Sequence, residues 1–85
     1  MSTTVNEVKA MNYQKYIERN PDILSGKPII KGTRISVELV VRKLANGYEI
    51  DDLLQNYPHL TRDQILAALE YAADMIGGEE ILEPA

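Results

Sequence analysis

Apolar residues recur at intervals of three and four in the second half of the chain. Val37, Val40, Val41 and Leu44 form one such stripe, the pattern of an amphipathic helix with one face turned inward. Ser36 before the stripe can accept from a free amide of the first turn, and Asn46-Gly47 after it supplies a left-handed stop. A helix from Val37 to about Asn46 is therefore predicted. A shorter helix from about Ile50 to Asn56 turns Leu53 and Leu54 inward and ends at Tyr57-Pro58. Its acidic start (Glu49, Asp51, Asp52) suits the positive end of the helix dipole. The third helix is the best marked. Thr61-Arg62-Asp63-Gln64 forms a capping box, and Leu60 can staple onto Ile65. Ile65, Leu69, Ala72 and Ile76 make the inner stripe, Leu66, Ala68 and Ala73 widen it, and Gly77-Gly78 stops it.

The first half has no such period. Met1 to Asn12 reads as a flexible N-terminus. Tyr13 to Arg19 is short, with Tyr16 and Ile17 as its apolar part, and fits either a strand or the end of a helix. Asn20-Pro21-Asp22-Ile23-Leu24 reads as a single helical turn stopped by Ser25-Gly26, with Asn20 as an acceptor and Pro21 where no amide is needed. Lys27-Pro28-Ile29-Ile30-Lys31 is extended, because Pro28 biases its predecessor away from helix and the isoleucines are β-branched. It ends at a turn, Gly32-Thr33-Arg34, and can pair with Tyr16-Ile17 within the chain or between chains. The expected architecture is mainly α. It is a three-helix bundle of helix-turn-helix (homeodomain-like) type with a short extended N-terminal arm. Residues 13–76 would form a single domain and residues 77–85 an acidic tail, either a partner-binding extension or a fraying end.

Composition narrows the chemistry. With 85 residues there is material for one core. It holds no Trp and no Phe, so Leu, Ile, Val, Ala and Met must fill it, with five tyrosines at the edges. The absence of cysteine removes disulfides and thiolate zinc ligation. No leader pattern or membrane-length apolar run is present, so a cytoplasmic location is expected.

The net charge of −4 is unevenly spread. Residues 1–26 balance. Lys27, Lys31, Arg34, Arg42 and Lys43 face Glu38 alone, whereas from Glu49 onward Arg62 is the one basic residue among the acids. A basic middle joined to an acidic end suggests two surfaces with two partners, although a solvated acidic helix face produces the same count.

Candidate catalytic groups are few. His59 is the one histidine and lies in the turn between helices, where a structural or solvent-facing role suffices. Ser25-Gly26-Lys27 lacks the upstream glycine of a phosphate loop, and Pro28 stands where Ser or Thr is needed. Glu79 and Glu80 are adjacent, with no pocket expected between them. No enzymatic activity, metal or cofactor is expected. The basic segment has the wider reach. Lys27, Lys31 and Arg34 on the arm and Arg42 and Lys43 on the first helix can neutralise phosphates. Arg62 and Gln64 open the third helix, where base edges are normally read, but Asp63, Glu70 and Asp74 along that helix oppose DNA.

The runs P-D-I-L-S-G-K-P-I-I-K-G-T-R-I-S-V-E-L-V (Pro21 to Val40), Y-P-H-L-T (Tyr57 to Thr61) and A-A-L-E-Y-A (Ala67 to Ala72) resemble the domain-of-unknown-function 433 family. The resemblance extends from about Tyr16 to Ile76. It departs at Glu49-Ile50, where that family usually has a Ser or Thr cap and often a proline, which weakens the expected start of the second helix. The resemblance implies a homeodomain-like fold and an antitoxin-like role in a type II toxin–antitoxin pair. A homodimer would bind operator DNA and silence a PIN-like nuclease toxin. The other reading is a protein-interaction or dimerisation module without nucleic-acid binding, favoured by the acidic third helix.

Overall fold

A computed structural model describes residues 13–77, and the expectations for the N-terminus and for the tail beyond Gly77 lie outside the described residues. The described residues are mainly helical, with three helices and a two-stranded sheet among them. A short 3-10 turn, Tyr13–Lys15, leads into strand β1 (Ile17–Arg19), which pairs antiparallel with β2 (Pro28–Ile30). The helices are α1 (Val37–Ala45), α2 (Ile50–Asn56) and α3 (Arg62–Gly77).

The expected pairing of the two apolar segments is made within the chain. Ile17 faces Ile30, Glu18 faces Ile29 and Arg19 faces Pro28. The connection between the strands differs from the helical turn expected over Asn20 to Leu24. Asn20 Oδ1 accepts from the Asp22 amide at 2.8 Å, and the Ile23 amide donates to the Asn20 carbonyl, closing one tight turn. A second, Leu24–Gly26, follows with Leu24 and Ser25 at φ 48° and 57°. Left-handed backbone costs an L-residue about 1–2 kcal/mol, and here it reverses the chain toward β2.

The helix ends follow the side chains. Ser36 Oγ accepts from the Leu39 amide at 2.9 Å and opens α1, which closes at Gly47, whose φ of +100° favours glycine. The Glu49 start of α2 is not weak. Glu49 accepts from the amide of Asp52, and Asp52 Oδ2 accepts from the Glu49 amide at 2.8 Å. Carboxylates make the same reciprocal bonds here as a Ser/Glu capping box. In α3, Thr61 and Gln64 form the expected box, with bonds of 3.2 and 2.8 Å.

The core joins Ile17 and Ile30 from the sheet, Val37 and Val40 from α1, Leu53 from α2, and Ile65, Ala67 and Ala68 from α3. Alanines at 67 and 68 let the other elements approach the α3 backbone closely. The widened stripe predicted for α3 needs correction. Leu66 is 38% exposed and Ile76 68% exposed, and Ala73 faces solvent, because α3 outruns the elements available to cover it. Among the described residues no helix is long and apolar enough to cross a membrane.

Truncating Ile65, fully buried, to alanine is expected to cost about 2–5 kcal/mol in chemical denaturation. Leu66→Ala, one position away, should change stability by well under half of that.

Candidate functional site

The G-T-R-I-S segment sets the geometry of the basic region. Thr33 Oγ1 donates to the Ile30 carbonyl at 2.8 Å and accepts from the Ile35 amide at 2.9 Å. The Ile30 amide donates to the Ile35 carbonyl at 2.9 Å, and Ile29 bridges Ser36 beyond it. Residues 31–34 thus form the tip of a narrow turn, with Gly32 at φ +78°. Lys31 and Arg34 are exposed there. Among the described residues neither side chain has a hydrogen-bond or ion-pair partner.

The other basic candidates are engaged internally. Glu38 accepts from Lys27 Nζ at 2.9 Å on one oxygen and from Arg42 at 2.8 Å on the other. The Lys27 bond first and the Arg42 bond second hold the Glu38 carboxyl down from its ordinary 4.5 to about 2. Arg62 reaches Asp51 at 3.3 Å. Lys43 Nζ sits 4.6 Å from the centre of the Tyr48 ring, a cation–π contact. Gln64 uses its side-chain oxygen to cap α3. The structure therefore separates the seven candidates, with Lys31 and Arg34 unpaired and the rest bound to neighbours.

Two further features were not read from the sequence. Lys15 is exposed and precedes Tyr16, whose carbonyl accepts the Lys31 amide at 2.8 Å, so a third cation lies beside the tip. Pairing of the two strands was the signal that could have placed it. Between α1 and α3 runs an open groove of about 460 Å³. Val37, Val41 and Ala45 form one wall, and Tyr71, Ala72, Met75 and Ile76 the other. Lys27, Pro28, Glu38 and Arg42 border it. A second open concavity, of about 470 Å³, is also bordered by Lys27, together with Leu24, Ser25 and Arg34.

Against α3 the rings of Tyr13 and Tyr71, both packed on the core, meet edge to face, 5.3 Å apart. Burial, and then a hydrogen bond to Asp74, push the Tyr13 phenol up. The Tyr71 hydroxyl accepts from Arg19 at 2.9 Å. His59 is exposed, and among the described residues no three His, Cys, Asp or Glu groups lie together as a metal site.

Comparison with known proteins gives the following matches. Residues 17–72 match the family described as "Protein of unknown function (DUF433)". The uncharacterized protein y4eO of Sinorhizobium fredii is 34% identical over 59 residues, 69% of this chain. The chain spans only 27% of the length of that relative. The crystal structure of a DUF433 member protein from Anabaena variabilis superposes with a TM-score of 0.69 at 29% identity, covering 92% of this chain and 74% of that one.

Glu38 yields a pH prediction. A carboxyl held below its unfolded value stabilises the fold above that value and loses the contribution as pH falls through about 4.5 toward 2. The side chains are half exposed, so added salt should shrink the effect. Carbon-detected NMR titration should place the Glu38 midpoint near 2 at low salt, and Lys27→Met or Arg42→Met should each raise it.

Proposed function

The chain belongs to the DUF433 family, and from that premise we propose that it is an antitoxin-like adaptor with a DNA-binding tip and a separate partner-binding groove. In this reading α2 and α3, joined through Tyr57–Thr61, are a helix-turn-helix pair of homeodomain-like type. The protein acts as a homodimer in the cytoplasm, which presents two tips to two half-sites of an operator.

The observation that carries the reading is the pair of cations, Lys31 and Arg34, that have no partner among the described residues and stand on a turn whose backbone is fixed by Thr33. Every other basic candidate is already held by a neighbouring acid or ring: Lys27 and Arg42 share Glu38, Arg62 reaches Asp51 and Lys43 sits over Tyr48. A rigid turn carrying two free cations, with Lys15 beside it, suits phosphate contact, which needs charge and position but no base-specific shape. The body of α3 is a poor groove reader, since Asp63 and Asp74 are exposed along it. DNA therefore approaches from the tip, with Arg62 and Gln64 at the start of α3 in a lesser role.

The second surface is the apolar groove between α1 and α3, assigned here to a PIN-like nuclease. Met75 is 48% exposed and Ile76 68% exposed at its edge. Exposed apolar groups contiguous with a groove mark protein contact more often than chance exposure does. No catalytic role is assigned to the chain. An interaction module without nucleic-acid binding is the competing reading, favoured by the Arg62–Asp51 pair, which removes the one cation of α3 from use.

Co-expression with the product of the neighbouring gene, followed by a gel shift on their shared promoter, separates the two. The adaptor reading expects a stable complex that shifts DNA, with affinity falling steeply between about 50 and 200 mM salt. Lys31→Ala and Arg34→Ala should each weaken the shift and lower the salt slope by about 1, with Tm nearly unchanged. Arg42→Ala should leave the shift close to wild type. A complex without any shift leaves the interaction module.

A further inference from the structure

We propose that in the free chain the groove between α1 and α3 is filled by the chain's own acidic segment, residues 79–83, with Ile81 and Leu82 against its apolar walls. Three observations converge. The groove is apolar and open at the last turn of α3, where Met75 and Ile76 are left exposed by the fold. The segment starts at that same turn. Ile81 lies four residues past Gly77, a reach of up to about 14 Å. Gly77-Gly78 provides backbone that reverses without a side-chain penalty.

Charge selects this occupant. Lys27 and Arg42 border the groove against the single carboxylate of Glu38, which leaves an excess of one positive charge there. The segment Glu79-Glu80-Ile81-Leu82-Glu83 brings carboxylates and no cation. The N-terminal twelve residues precede Tyr13, which meets Tyr71, but they carry one acid and one base and so have no matching charge. A nuclease docking at the same groove has to displace the segment, which makes it a competitor for the partner.

The chain has no cysteine, so Ala85→Cys accepts a single nitroxide on the full-length protein. Amide signals of Val41, Ala45 and Lys27 should lose intensity relative to the reduced, diamagnetic label. Replacing Ile81 and Leu82 by aspartate should restore them, and Arg42→Glu should restore them in part. Loss confined to the last turn of α3 would overturn the proposal. So would equal loss in an isotope-labelled chain mixed with an unlabelled nitroxide carrier, which would make a second copy the occupant. Loss at Val41 from a nitroxide at Ser2→Cys, and none from position 85, would assign the groove to the N-terminal segment and also refute it. Only the free chain is measured, so either outcome is separate from whether a nuclease or DNA binds.

Discussion

Strand β2 is bonded along both edges, and the rest of the molecule is arranged around that constraint. One edge pairs with β1, and the other with the chain returning through Ile35 and Ser36. Neighbouring residues of a strand face opposite sides, yet Ile29 and Ile30 are both fully buried. A three-residue strand can have both faces covered only if helices and turns close over it from two directions. Ile30 joins Ile17 and the helices in the core, while Ile29 is enclosed on the other side. The same return that completes the second edge delivers Ser36 to the start of α1. Sheet pairing and helix capping are consequently one local event, with Thr33 bonded to both sides of the turn.

This explains how an unpaired pair of cations is kept in place. A long basic side chain on a loose loop gains little from one geometry, because ordering it costs conformational entropy. At the tip, the backbone of residues 30–35 is already ordered by its own hydrogen bonds. Only the side chains of Lys31 and Arg34 remain to be fixed by a ligand. Lys27 and Arg42 are in the opposite situation. They share Glu38 at the far end of the same ladder and hold β2 against α1 across the mouth of the groove.

The helical half was legible because its signals are local. Apolar spacing and polar caps, read within a few residues of one another, located the three helices of the described residues to within a residue or two. The α2 start was underrated because Glu is a poor isolated cap, and its partner Asp52 was read only as a dipole charge; the reciprocal bonds depend on both. The Glu38–Arg42 pair was readable from its spacing of four. The Lys27–Glu38 bond was not, since it exists only because the ladder folds residue 27 beside residue 38. The turn at Leu24–Ser25 was illegible for a different reason. Neither residue prefers left-handed backbone, so local preference pointed to a helix and the demand of antiparallel pairing overrode it. At the end of α3 the period continued after the neighbours that would bury it had ended, and Ile76 kept its place in the stripe without a core to face.

The two candidate surfaces lie at the two ends of one short strand. At about 3.3 Å per residue, β2 separates Lys31 from Lys27 by about 13 Å. No flexible segment intervenes, because every backbone position between them is paired on at least one edge. Occupants of tip and groove are therefore held in a fixed relation, and a bulky partner at one end restricts approach at the other. Lys27 is the residue most exposed to this effect, because it borders both the apolar groove and the concavity that Arg34 shares. An acidic occupant that drew Lys27 or Arg42 away from Glu38 would leave that carboxylate uncompensated beside the same strand. Displacement in the groove would then change the electrostatic field at the tip without any change in the fold, through charges about one strand length apart.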